Sequence, residues 1–89
     1  MATGSIKNTA IKRIEKMFTN ITISSAGGYA LLSTWEGLGI DRANVVGILE
    51  ISKPGNGVSS YQCSSGGLYV YNTATVSSGS FRLAILYTL

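Results

Sequence analysis

Apolar residues fall on both parities of residues 81–89. Phe81, Leu83, Ile85 and Tyr87 share one face of a strand; Ala84 and Leu86 take the other, wetted only by Arg82 and Thr88. A strand that is apolar on both faces has to be covered on both. Residues 43–52 read the same way, with Val45, Leu49 and Ile51 on one face and Val46 and Ile48 on the other. Two double-faced strands in one short chain predict more covering material than the chain supplies, and so an assembly.

The other segments alternate more simply. Thr19-Asn20-Ile21-Thr22-Ile23-Ser24 is a half-buried strand by its period of two. Ala26-Gly27-Gly28 turns it, and residues 29–33 return. Thr34 to Arg42 reads as a loop, broken by Gly37 and Gly39 and carrying Trp35, Glu36 and Asp41. After residues 43–52, Lys53-Pro54-Gly55-Asn56-Gly57 is a strong turn signal. Residues 58–64 form a polar strand, Ser65-Gly66-Gly67 a turn, and residues 68–73 its return. There Leu68 and Val70 face one way, Tyr69 and Tyr71 the other. Ser77-Ser78-Gly79 leads into the final strand. About six strands with tight glycine turns predict an all-β domain, a small antiparallel sandwich or jelly roll.

The N-terminal segment has a different period. Ile11, Ile14 and Phe18 recur at i, i+3 and i+7, flanked by Ala10 and Met17, with Ser5 as a candidate N-cap. The spacing predicts a short helix over residues 5–17. Helices below about 12–15 residues are marginal alone, so this one needs a partner surface. Its own body and the same helix from neighbouring subunits both qualify. The expected organisation is a helical arm over 1–17 and a β head over 18–89.

Composition strengthens the case for assembly. A domain of 89 residues buries only about 60–65% of its unfolded surface. Cys63 is the single cysteine and there is no histidine, so neither an intrachain disulfide nor a structural zinc site is available to stabilise it. Charged residues make up 12%, against about 25% in an average soluble domain. Charge depletion suits a subunit interface. The net charge of +3 lies within residues 1–17, where Lys7, Lys12, Arg13 and Lys16 face only Glu15; residues 18–89 balance. Nucleic-acid binding would want the basic face on the body, so nucleic acid is not an expected partner. No stretch reaches the ~20 apolar residues of a membrane helix, and no apolar core of a secretory signal is present near the N-terminus.

Chemistry finds little support. General acid–base catalysis needs a histidine or paired carboxylates. Glu36 and Asp41 share a loop, where a solvated pair balancing Arg42 is the commoner reading. Cys63 lacks a histidine to ionise it and reads as a small hydrophobe pointing into the sheet. The glycine pairs are hairpin turns, since no Gly-Lys-Ser/Thr follows. No enzyme, cofactor or metal is expected. Trp35, Tyr69 and Tyr71 are the candidate ligand-binding residues, because aromatic rings beside hydroxyls and amides suit sugars or protein partners. The plainer alternative places Tyr69 and Tyr71 in a subunit interface and Trp35 as a plug at the end of the sandwich. Ile11, Ile14, Val46, Ile48, Ala84 and Leu86 are the candidate interface residues.

The arrangement resembles the C-terminal head of bacteriophage tail-fibre or baseplate receptor-binding proteins. The resemblance rests on the segment from Ile6 to Met17, the strand around Ile21-Thr22-Ile23, and Ala43-Asn44-Val45-Val46-Gly47-Ile48. It rests also on the hairpin Gly66 to Tyr71 and the closing Phe81-Arg82-Leu83-Ala84-Ile85-Leu86-Tyr87-Thr88. It implies a homotrimer, a place in the virion, and partners among other virion proteins and host-surface glycans or proteins. It transfers no binding residue. Such heads are carried on long fibre sequences, whereas here only the predicted helix precedes the strands. A carbohydrate-binding module using the aromatics is the alternative. A capsid or nucleic-acid contact through Lys7, Lys12, Arg13 and Lys16 is a third.

Overall fold

The computed structural model describes residues 10–89. Six strands carry the fold: β1 (Lys12–Ile23), β2 (Gly28–Ser33), β3 (Val45–Ser52), β4 (Ser59–Ser64), β5 (Gly67–Asn72) and β6 (Val76–Tyr87). They form two antiparallel three-stranded sheets, ordered β1-β6-β3 and β2-β5-β4. The six strands expected from the sequence are all present. The loop between β2 and β3 contains one helical turn, α1 (Trp35–Leu38), and a 3-10 turn at Arg42–Asn44.

The helix expected over residues 5–17 does not form over its described part. Lys12 to Met17 belong to β1, paired in continuous register with β6 from Lys12↔Tyr87 to Phe18↔Phe81. Residues 5–9 lie outside the described residues. The boundary expected between residues 17 and 18 falls inside β1, so the basic residues Lys12, Arg13 and Lys16 are part of the sheet. The reason is tertiary. The backbone N–H and C=O groups of buried β6 need ladder partners on both edges, and β3 takes one edge and β1 the other. Ile14 and Phe18 satisfy a period of two as well as one near 3.6, and the long-range ladder outweighs weak local helix propensity.

The two sheets share one core. Leu68 and Val70 of β5 and Phe81, Leu83 and Ile85 of β6 are fully buried. Leu68 packs with Leu83 and Ile85, and Val70 with Phe81, Ile23 and Val76. Burying each such side chain contributes about 1.5–3 kcal/mol. Cys63 and Ile14 also pack inward against this core. The β1–β6 ladder is interrupted where Asn20 (φ 57) and Ser78 (φ 49) adopt left-handed conformations, and the strands bend there. The bend brings Ile23 and Val76 over to Val70 of the other sheet. Gly79 sits at this bend against Pro54, where an added Cβ would stand 2.5 Å from the proline ring.

Buried Asn72 fastens the turns to the sheet. Its amide donates to the Ala74 carbonyl at 2.7 Å and the Asn56 carbonyl at 3.2 Å, and its Oδ1 accepts from Ser59 Oγ at 2.5 Å. Two residues along β4 from Ser59, the Tyr61 hydroxyl donates to Glu50 Oε1 of β3 at 2.5 Å, tying one sheet to the other. Burial, reinforced by this bond to a carboxylate, pushes the Tyr61 pKa well above the usual tyrosine value.

Candidate functional site

Since the inner faces are consumed by the core, recognition is left to the outer faces. Register assigns them. On the β2-β5-β4 sheet, Leu68, Val70 and Asn72 point inward, so Tyr69 and Tyr71 point outward. Tyr71 pairs with Tyr29 and Ser60, and Tyr69 with Leu31 and Gln62. Tyr29 and Tyr71 have ring centroids 5.2 Å apart at a tilt of 52°, within the range of favourable aromatic pairs. Tyr29 is 60% exposed. The Tyr69 and Tyr71 hydroxyls reach towards the neighbouring glycine turns. A Cβ on Gly27 would be 3.8 Å from the Tyr71 hydroxyl, and one on Gly66 would be 3.6 Å from the Tyr69 hydroxyl. Tyr29, Gln62, Ser64 and Tyr69 line a shallow open hollow of about 290 Å³.

Trp35 is not part of this platform. It opens α1, where Thr34 caps the turn by accepting from the Gly37 amide at 3.1 Å. Its indole packs against the core and donates to the Ser64 carbonyl at 2.7 Å. With its N–H committed, Trp35 closes the end of the two layers. Thus the structure brings Tyr69 and Tyr71 together, separates Trp35 from them and adds Tyr29. The sequence held one signal for Tyr29, its alternation with Leu31, but not which strand lies beside it.

The outer face of the β1-β6-β3 sheet has a different character. Ala84 and Leu86 alternate with the buried Leu83 and Ile85 and so face outward. Ala84 lies between Glu15 and Leu49 in the ladder and is fully covered by its neighbours, while Leu86 is half-buried. Exposed Leu49 and Ile51 flank them on β3, and Met17, 57% exposed, on β1. Across this apolar surface runs one short charge cluster. Glu15 accepts from Arg13 at 3.2 Å and from Arg82 at 3.0 Å, all three well exposed. Such exposed pairs contribute at most about 1 kcal/mol.

The expected interface residues divide. Leu86 stands on the outer face and Ile11 is exposed just before β1. Ile14 and Ile48 instead pack on the core. For Ile48 the cause is a bulge. Pairing shifts between Val45↔Tyr87 and Gly47↔Leu86, so Val45 and Ile48 both turn inward while Val46 is left exposed at the sheet edge. A one-residue slip reverses the faces of all that follows. Beside it, Val45, Val46, Gly47, Ile48, Tyr61 and Cys63 line a cleft of about 260 Å³ between β3 and β4. Burial pushes the Cys63 thiol up, opposed by the nearby Arg42, whose Nε donates to the Cys63 carbonyl at 3.1 Å. A raised thiol is the reverse of an activated nucleophile.

Among the described residues no group of three or more His, Cys, Asp or Glu side chains is placed to hold a metal, and no helix is long and apolar enough to cross a membrane. Compared with known protein families, curated proteins and solved structures, the chain matches none.

Proposed function

We propose that this protein is a self-assembling attachment module of a virion, of the kind its sequence resembles. Copies associate through the outer face of the β1-β6-β3 sheet, and the tyrosine face of the β2-β5-β4 sheet is presented outward to a host surface or another virion protein. A closed trimer is the assembly the resemblance implies.

The observation that carries the reading is the contrast between the two outer faces. One presents Leu86, Leu49, Ile51 and Met17 around a single charge cluster. A small domain with that much apolar surface on one sheet gains from a second copy. The Arg13–Glu15–Arg82 group limits which orientations are compatible, because mispaired like charges oppose docking. The other face is aromatic and hydroxyl-rich, a composition suited to recognition.

Sedimentation velocity over a dilution series tests the assembly. A species larger than the monomer, lost in Leu86→Asp while the circular dichroism of the sheets is kept, is the expected result. A wild-type monomer at all concentrations would remove the reading. Of the basic residues behind the alternative of a nucleic-acid contact, Lys12, Arg13 and Lys16 lie in β1, with Arg13 paired to Glu15, and Lys7 lies outside the described residues.

A further inference from the structure

We propose that the outer face of the β2-β5-β4 sheet is a binding site for a neutral saccharide, with Tyr29, Tyr69 and Tyr71 as the stacking platform and Gln62 and Ser64 as hydrogen-bonding groups. This names the ligand class of the attachment face and rests on that face being outward in the assembly.

Four observations lead there. First, the three strands Gly28–Ser33, Ser59–Ser64 and Gly67–Asn72 contain no charged residue. A phosphate, a sialic acid or a basic peptide would lose hydration on this face and find no counter-charge on its three strands. Second, the face is aromatic: Tyr29 and Tyr71 pack with ring centroids 5.2 Å apart, and the Tyr69 and Tyr71 hydroxyls reach towards the glycine turns at Gly66 and Gly27. Outward tyrosine rings offer apolar surface to the aliphatic C–H face of a pyranose, while their hydroxyls stay at the wet rim.

Third, the hollow between Tyr29 and Tyr69 has Gln62 and Ser64 in its wall, and at about 290 Å³ it sits at the lower end of small-ligand sites. Ser64 Oγ donates to the Gly67 carbonyl at 3.1 Å, which fixes its lone pairs as acceptors. The Gln62 amide offers both a donor and an acceptor. A sugar hydroxyl is donor and acceptor at once and matches that mixture. Fourth, the platform is rigid where it matters. Tyr69 and Tyr71 sit on the central strand, whose alternate side chains Leu68, Val70 and Asn72 are fully buried, so little ordering is needed on binding.

The test is an NMR titration of the assembled protein with an array of neutral oligosaccharides, with a sialylated oligosaccharide as the acidic control. The expected result is saturable shifts of Tyr29, Gln62, Tyr69 and Tyr71 signals with at least one neutral sugar and none with the acidic one. Tyr69→Ala should weaken that binding about tenfold; Gln62→Ala, which leaves the aromatic packing intact, should weaken it by a smaller factor. Three results overturn the proposal: no shifts with any neutral sugar, equal shifts with the acidic one, or binding indifferent to both variants. Loss of oligomer mass in Tyr69→Ala also overturns it, since the face would then be covered by a second copy. Sedimentation on the same samples separates the two readings: a monomer that binds sugar contradicts the assembly alone, and an oligomer that binds none contradicts the saccharide site alone.

Discussion

The two sheets share one core, and their outer faces divide in character. On the β1-β6-β3 side, the exposed residues are long aliphatic chains, Leu49, Ile51 and Met17, with a charge cluster of Arg13, Glu15 and Arg82. On the β2-β5-β4 side they are tyrosines, serines, a glutamine and one aliphatic, Leu31, with no charge among the three strands. Aliphatic surface has no use for water and is best removed by another copy of itself. Tyrosine is content half wet, which suits a surface that waits for a ligand. On the proposed reading, one small core supports two separable tasks, each using the parity of the strands that the core does not.

If the faces are mounted on one cooperative unit, damage to the core must remove both. Phe81→Ala, at a fully buried position between the sheets, is expected to cost about 3–5 kcal/mol in urea unfolding and to abolish assembly and ligand binding together. Damage confined to one face should separate them. Leu86→Asp is expected to weaken self-association by about 2 kcal/mol or more, read as a concentration-dependent shift in sedimentation, with the tyrosine signals unchanged. Trp35→Phe removes the N–H that donates to Ser64. Thermal or urea unfolding should show a loss of about 1 kcal/mol, with assembly and the tyrosine face unaffected.

The smallest effect concerns the edge where the sheets are tied. Tyr61 has its pKa raised in the folded state by burial and by Glu50. The folded protein therefore holds this proton more tightly than the unfolded chain. The stability from this group is complete below the ordinary tyrosine value of 10.0 and declines as pH rises past it. Unfolding curves on either side of that pH should show wild type losing stability more steeply than Tyr61→Phe.

Much of this division was legible in the sequence, but unevenly. The six strands and the glycine turns after β1, β3 and β4 follow from alternation and turn chemistry, whereas Ser77-Ser78-Gly79, expected as a turn, lies within β6. The double-faced character of residues 81–89, read as a demand for an assembly, belongs to the central strand of its sheet, and the inward Cys63 follows from its neighbours. Two features were hidden. Residues 12–17 satisfy a helical and a strand period at once, and only the empty edge of β6 decides between them. The face assignment in β3 depends on the bulge at Val46, which shifts pairing from Val45↔Tyr87 to Gly47↔Leu86. No local signal marks that slip, and it exchanges Ile48 for Leu49 on the outer face. The platform was half visible for a similar reason. Tyr69 and Tyr71 share a face by parity within one strand, but Tyr29 joins them only through the pairing of β2 with β5. Trp35 lay in a loop, where parity says nothing.

The division of labour between the faces is tested most directly by sedimentation velocity of wild type, Leu86→Asp and Tyr69→Ala at matched concentrations. The account predicts an oligomeric wild type, a folded monomer for Leu86→Asp, and wild-type mass for Tyr69→Ala. An oligomer that survives Leu86→Asp but dissociates in Tyr69→Ala would contradict it, placing the subunit contact on the tyrosine face.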